Sequence, residues 1–240
     1  MLASRGIASR RKCDELIKQG RISVDGKVVR EMGVMVDPAQ QDVACDGESL
    51  QRVKKVVLAF YKPKGAVCTH DQRDEGRRVI DLLPSFHGLR LFTVGRLDRD
   101  SEGLILVTND GDYAERVAHP RYQVSKRYEV TIDGRLPEGW KEHLQRGVYL
   151  AEGRVKFSDW RIVVSTRGIT MLEIELTEGR NREIRRVLAS LGVKVRMLRR
   201  IAIGKLKVGE LRPGRYRALS EEEREAVLTP ASPAPARTPR

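Results

Sequence analysis

The sequence predicts an α+β protein in two parts. A small N-terminal unit of one helix and a hairpin precedes a larger domain built on a mostly antiparallel sheet. Three observations carry this. The first thirty residues hold one short amphipathic repeat followed by a tight-turn signal. From Val53 onward the pattern changes to short apolar runs that outnumber helical repeats. Neighbouring runs are separated by brief Gly, Pro, Asn and Asp punctuation, which favours hairpins over long crossovers.

The N-terminal unit covers residues 1 to 48. Ser9 is placed to cap a helix over "RRKCDELIKQ" that stops at Gly20. Cys13, Leu16 and Ile17 follow the i, i+3, i+4 rule, which leaves Arg10, Arg11 and Lys18 facing outward. "RISVDGKVV" then turns at Asp25-Gly26, the strongest short hairpin signal. The larger domain is expected over residues 53 to 228. "VVLAFYKP" reads as a buried strand closed by Pro63 and Gly65, and "LRLFTVG" and "GLILVT" as strands on either side of an acidic loop. "NDGDYAERVAHP" is a turn and a short helix stopped by Pro120. "RYEVTID", "VKFSDWRIVV" and "ITMLEIELT" alternate as strands do. "NREIRRVLASLG" is helical, with Ile184, Val187, Leu188 and Leu191 on one face and Gly192 as its stop. A strand in "VKVRMLRRIAIG" follows, and Ser220 with Glu223 forms a capping box for a last helix. The Pro- and Ala-rich tail, 229 to 240, is expected to be disordered.

Charge and composition narrow the function. The 240 residues carry 46 Lys and Arg against 33 Asp and Glu, a net +13, which calls for a polyanionic partner. The density is highest at the front, where Arg5, Arg10, Arg11, Lys12, Lys18, Arg21, Lys27 and Arg30 face only Asp14, Glu15 and Asp25. A capped basic helix beside a tight hairpin makes a compact platform for phosphates. Lys62, Lys64, Arg96, Arg180, Arg182 and Arg186 extend the candidate phosphate contacts into the larger domain. No apolar run is long enough to span a bilayer, and no signal-peptide pattern opens the chain. Three scattered cysteines (Cys13, Cys45, Cys68) point to a reducing cytoplasm rather than to disulfides or structural zinc. The four histidines (His70, His87, His119, His143) make no metal-ligand pair. No phosphate-cradling glycine loop and no G-x-S-x-G elbow occurs. The expectation is a cytoplasmic monomer with no membrane, metal or cofactor.

The acidic loop lies in "VGRLDRDSEGLILVTNDG", residues 94 to 111, with Asp98, Asp100, Glu102 and Asp110. Asp98 falls in a turn between two apolar strands, with Gly95 before it and Gly103 after. A carboxylate on the rim of a sheet can bind metal, act as a base or attack carbon. On its own, Asp98 reads as a turn aspartate accepting backbone hydrogen bonds. Asp100, Glu102 and Asp110 read most simply as solvated turn or cap residues. "TEGRNREIRR" changes the balance by placing Arg180, Arg182, Arg185 and Arg186 at a helix start. At about 100° per residue, Arg185 borders the apolar stripe while Arg182 and Arg186 point away from it. An arginine beside the core needs a carboxylate, and Asp98 is the expected partner of Arg185.

These stretches resemble known families. "ASRRKCDELIKQGRISVDGKVV" is similar to the small RNA-binding domain first described in ribosomal small-subunit protein four, over residues 2 to about 48. One departure is that Met1 falls where that domain has most of a first helix behind it. "YKPKGAVCT", "VGRLDRDSEGLILVTNDG" with "KRYEV", and "TEGRNREIRR" resemble the successive motifs of the bacterial ribosomal RNA pseudouridine synthases that carry this small domain. The likeness spans residues 2 to about 225. It implies that Asp98 is the catalytic aspartate, that Tyr128 stacks on the target base and that Arg185 pairs with Asp98. Read from the residues alone, Tyr128 is equally a strand aromatic packed on the core. Ser101 stands where threonine is common, and Glu183 where glutamine is common. The implied reaction breaks a carbon–nitrogen glycosidic bond, turns the base and joins the ribose to a ring carbon, so no cofactor or metal is needed. An aspartate ionises with an ordinary pKa of about 3.9, so neutral pH supplies the anion. "YKPKGAVCT" followed by "EGRRVIDLLP" is most similar to the large-subunit branch, which makes ribosomal RNA or an assembling subunit the expected partner. Two other readings compete: a non-catalytic RNA-binding or ribosome-assembly factor, and a metal nuclease using Asp98, Asp100 and Asp110.

Overall fold

The computed structural model describes residues 2–37, 40–50, 53–69, 71, 76–83, 86 and 89–229. The expected disorder of the tail concerns residues that, apart from Thr229, lie outside this set, as do His70 and His87.

Helix α1 spans Arg10–Lys18, and Ser9 Oγ accepts the Lys12 amide at 3.2 Å, satisfying one of the donors a helix start leaves open. Strands β1 (Ile22–Val24) and β2 (Lys27–Val29) meet at Asp25 and Gly26, whose φ values of 49° and 76° fit the predicted two-residue turn. With β3 (Val43–Cys45) and β4 (Glu48–Ser49) they form a small sheet ordered β2-β1-β3-β4. Leu2, Cys13, Leu16, Ile22 and Val43 form its own apolar cluster.

The larger sheet begins with β5 (Val57–Lys62), β6 (Phe92–Val94) and β7 (Glu102–Thr108), followed by helix α2 (Gly111–Ala118) and β8 (Lys126–Asp133). Helix α3 (Trp140–Arg146) and the hairpin of β9 (Val148–Leu150) and β10 (Gly153–Val155) come next. Then follow β11 (Asp159–Ser165), β12 (Ile169–Leu176), helix α4 (Glu183–Ser190) and β13 (Val195–Ile203). Strands β14 (Leu206–Lys207) and β15 (Tyr216–Ala218) and helix α5 (Glu221–Leu228) complete the described chain. The strands run β11-β12-β8-β13-β7-β5-β15, with β14 on β13 and β6 on β7.

Burial explains this order. All of β5 and nearly all of β7 are buried, as near-continuous apolar runs at a sheet centre must be. The two-residue period sends Leu58 and Phe60 into one cluster with Ile184, Val187 and Leu188 of α4. It sends Val57 and Ala59 into another with Val117 of α2 and Val227 of α5. Most strand pairs are antiparallel, as predicted, but β13 and β7 run parallel, with Arg200 opposite Gly103. Gly103 has a φ of 104°, and a Cβ there would lie 2.3 Å from the Arg200 carbonyl oxygen. Only glycine lets these backbones approach.

One expectation is corrected, and one segment is not legible in the sequence. "VKFSDWRIVV" is not one strand, since Val155 ends β10 and β11 starts at Asp159. The segment carrying α3 and β9 gave no readable pattern, because seven- and three-residue elements offer too few repeats.

Candidate active site

The acidic loop leaves β6 at Gly95 and enters β7 at Glu102, and it is tied down from several directions. The Gly65 amide donates to Arg99 O at 2.7 Å, and the Leu97 amide to Cys68 Sγ at 3.5 Å. Lys62 Nζ donates to Ser101 O at 2.6 Å and to Pro63 O at 3.2 Å. Lys62 is fully buried, and burial pulls its pKa below the ordinary lysine value. The expectation that it touches RNA is therefore corrected. The strand period gives Lys62 the inward parity of Leu58 and Phe60, so its ammonium supports the loop from beneath.

The arginines divide differently from the helical-wheel reading. Arg185, 12% exposed, pairs with Asp100 Oδ2 at 3.2 Å, not with Asp98. It also donates to Asp100 O at 3.3 Å, Ser101 Oγ at 3.5 Å and Val195 O at 3.2 Å. The ion partner of Asp98 is Arg182, with Nη1 3.6 Å from Asp98 Oδ2. Arg182 also spans Asp100, at 3.2 and 3.4 Å. The reason is local: α4 starts at Glu183, so Arg182 is its N-cap, with left-handed φ 47° and ψ 32°. Helical geometry therefore does not apply to Arg182, and its side chain turns to the loop instead of away. Asp100 is accordingly no solvated turn residue. Burial pushes its carboxyl up, but the Arg182 hydrogen bond and the charges of Arg185 and Arg182 outweigh this and hold it below the usual range.

Asp98, Asp100, Arg99, Arg182, Lys64 and Gly65 line an open pocket of about 440 Å³. Tyr128 is 8% exposed and belongs to the same apolar cluster as Leu97. The Arg200 guanidinium lies 6.0 Å from its ring centroid. Asp110 caps α2, accepting the Asp112 and Tyr113 amides, and pairs with Lys55 Nζ at 2.9 Å. Glu102 accepts the Tyr61 hydroxyl at 3.1 Å. Among the described residues no group of three or more potential ligands could hold a metal ion. Glu183 is buried, its side chain accepts the Arg180 amide at 2.8 Å, and burial raises its pKa.

The remaining candidate RNA contacts fall into two sets. Arg10, Arg11, Lys18, Lys64 and Arg96 are exposed. Others are engaged within the protein. Lys12 pairs with Glu15 at 2.7 Å and Arg21 with Asp46 at 2.5 Å, while Arg5 donates to Leu50 O. Arg180 pairs with Glu178 at 3.1 Å, and Arg186 grips Glu152 at 2.5 and 2.9 Å. Sequence reasoning missed Glu152, which nothing in the charge pattern sets apart from a surface turn residue.

The family model for RNA pseudouridylate synthases matches residues 56–190, and that for the S4 domain matches residues 1–42. The chain belongs to the RNA pseudouridylate synthase family. A relative from Aquifex aeolicus, named an uncharacterized RNA pseudouridine synthase, is 39% identical over 92% of this chain and 89% of its own. The Bacillus subtilis protein named ribosomal large subunit pseudouridine synthase B is 35% identical over 93% of this chain and 91% of its own. A crystal structure of a pseudouridylate synthase matches with a TM-score of 0.66 and 25% identity, covering 94% of this chain and 96% of that one. This synthase is therefore an isomerase that carries an RNA-binding domain at its N-terminus.

Proposed function

We propose that this synthase converts a specific uridine of large-subunit ribosomal RNA to pseudouridine, with the Asp98 carboxylate as the reacting group. The observation that carries the reading is the setting of Asp98. Among the described residues no group donates a hydrogen bond to its carboxylate, while the loop around it is fixed by Lys62, Gly65 and Arg185. An anion held in place but left free of donors can act on a ribose, either by attacking the anomeric carbon or by taking a ribose proton. The glycosidic C–N bond then breaks, the base turns, its ring carbon joins the ribose and releases its proton, and the freed ring nitrogen takes one up. To reach Asp98 the uridine leaves the helical stack; Tyr128, 8% exposed and not among the residues lining the pocket, packs here as a core aromatic. Lys64 and Arg99 line the pocket with positive charge for the flanking phosphates, and Arg96 is exposed on the same loop. The large-subunit target rests on the motif likeness and on the relatives that bear that name.

Chemical tagging of pseudouridines in ribosomal RNA, from cells with and without this gene, tests the proposal. One large-subunit position should lose its mark and regain it when the gene is restored. Identical maps from the two strains would overturn the proposal.

A further inference from the structure

Two arginines serve the acidic loop, and their settings differ. Arg185 is 12% exposed and holds backbone and hydroxyl oxygens besides Asp100, as a fixed strut does. Arg182 is 46% exposed, and its guanidinium meets only the carboxylates of Asp98 and Asp100 among the described residues, at 3.2 to 3.6 Å. Its backbone is left-handed, with φ 47°, a conformation uncommon for arginine and concentrated at functional sites. The charge count is unequal too. If Arg182 leaves, Asp100 keeps Arg185, but Asp98 loses its ion partner. Departure of Arg182 therefore leaves the loop fastened through Arg185 and takes the ion partner from Asp98, while Asp100 loses one of its two arginines.

We propose that Arg182 is an exchangeable partner of Asp98. It pairs with the carboxylate in the RNA-free enzyme and passes to a phosphate beside the target uridine, uncovering the carboxylate for the ribose. The proposal rests on the assignment of Asp98 given above. The phosphates on either side of a ribose lie a few bonds from its anomeric carbon. A ribose delivered to Asp98 thus brings one within reach of an arginine already touching that residue. The guanidinium fork matches phosphate oxygens as well as it does a carboxylate, so the exchange replaces one paired anion with another. Arg182 is then a positioning residue that links RNA seating to the availability of the reacting anion.

The test is a double-mutant cycle on synthetic RNA centred on the mapped uridine, with a neutral methylphosphonate at either flanking linkage. Arg182→Asn removes the fork and suits the left-handed backbone, so its melting temperature should match or exceed that of the wild type. In the wild type, one of the two neutral linkages should slow single turnover at saturating RNA about tenfold, and in Arg182→Asn the same linkage should cost less than about twofold. Equal factors in both proteins, or a wild type indifferent to both linkages, would overturn the exchange. A wild type that leaves the uridine of unmodified RNA unchanged would instead defeat the proposed function.

Discussion

Arg185 and Arg182 are three residues apart on one segment, yet Arg185 holds backbone oxygens besides the Asp100 carboxylate, while Arg182 meets carboxylates alone among the described residues. Arg185 reaches four oxygens through a planar fork, a set that a lysine ammonium cannot span from the same root. Arg185→Lys should therefore lower the single-turnover rate nearly as much as Arg185→Met, and a near-normal rate for the lysine variant would show that charge alone suffices. Lys62 makes the opposite case, a lysine in a basic protein that touches no solvent. Lys62→Met leaves the Ser101 carbonyl without its lysine donor, at a cost of about 1–3 kcal/mol when buried. The melting temperature and the rate should fall while RNA affinity stays within about twofold. A weaker affinity with unchanged stability would restore the phosphate-binding reading. Asp98→Asn keeps the shape and removes the anion, so it should fold, bind RNA and form no pseudouridine. Tritium release from labelled uridine measures this, and activity within about tenfold of wild type would end the assignment.

At the scale of elements, the site depends on how β7 meets β13. Gly103 lies, with Glu102, in the run where these strands are parallel, directly after the acidic loop. Gly103→Ala would force the Arg200 carbonyl aside and strain a left-handed backbone, at a cost of about 1–3 kcal/mol. Chemical denaturation should show that destabilisation together with a fall in rate, because the loop loses its anchor. Strand β8 supplies a second test. Lys126, its first residue, is half-buried and donates to Val117 O, and burial together with the Arg200 charge lowers its pKa to about 8. An unfolded lysine titrates near 10.4, so between about pH 8 and 10.4 the unfolded chain holds more proton there than the folded one. Stability contributed through Lys126 therefore rises with pH across that window. Thermal melts of the wild type and Lys126→Met should show the wild type gaining on the variant from about pH 8 to 10. A constant difference would mean that Lys126 is not desolvated.

Across the whole molecule, the net charge of +13 is spread unevenly in what it can do. Several basic groups are already matched by acids, such as Arg186 with Glu152 and Arg21 with Asp46. Arg10, Arg11 and Lys18 on α1 are exposed, and no ion pair engages them among the described residues. Replacing these three with glutamine should weaken RNA capture and make log affinity fall less steeply with log salt, by about 0.7–0.9 in slope for each phosphate no longer neutralised. The single-turnover rate at saturating RNA should stay unchanged. An unaltered slope would show that α1 does not bind phosphates.

The pattern of residues by itself determined the fold class, the Asp25-Gly26 turn, the Ser9 and Ser220 caps, and the stretch that holds the candidate site. Those features arise from local chemistry: a side chain capping its own helix, a turn needing positive φ, a strand alternating with a period of two. Sequence likeness reached the family for the same reason, since its motifs are contiguous stretches. What the tertiary structure alone decided was which groups meet. Lys62 turned inward because β5 is buried on both faces. Arg182, not Arg185, met Asp98 because α4 begins one residue after it and the N-cap adopts a left-handed turn. Glu152 became a counter-ion because a short hairpin brings it to α4. Each of these pairings joins segments distant in the chain, 34 residues apart for Glu152 and Arg186 and 82 for Asp100 and Arg182. No periodicity records such distances. They are set by how layers pack, and a shift of two residues in a helix start is enough to change which arginine meets Asp98.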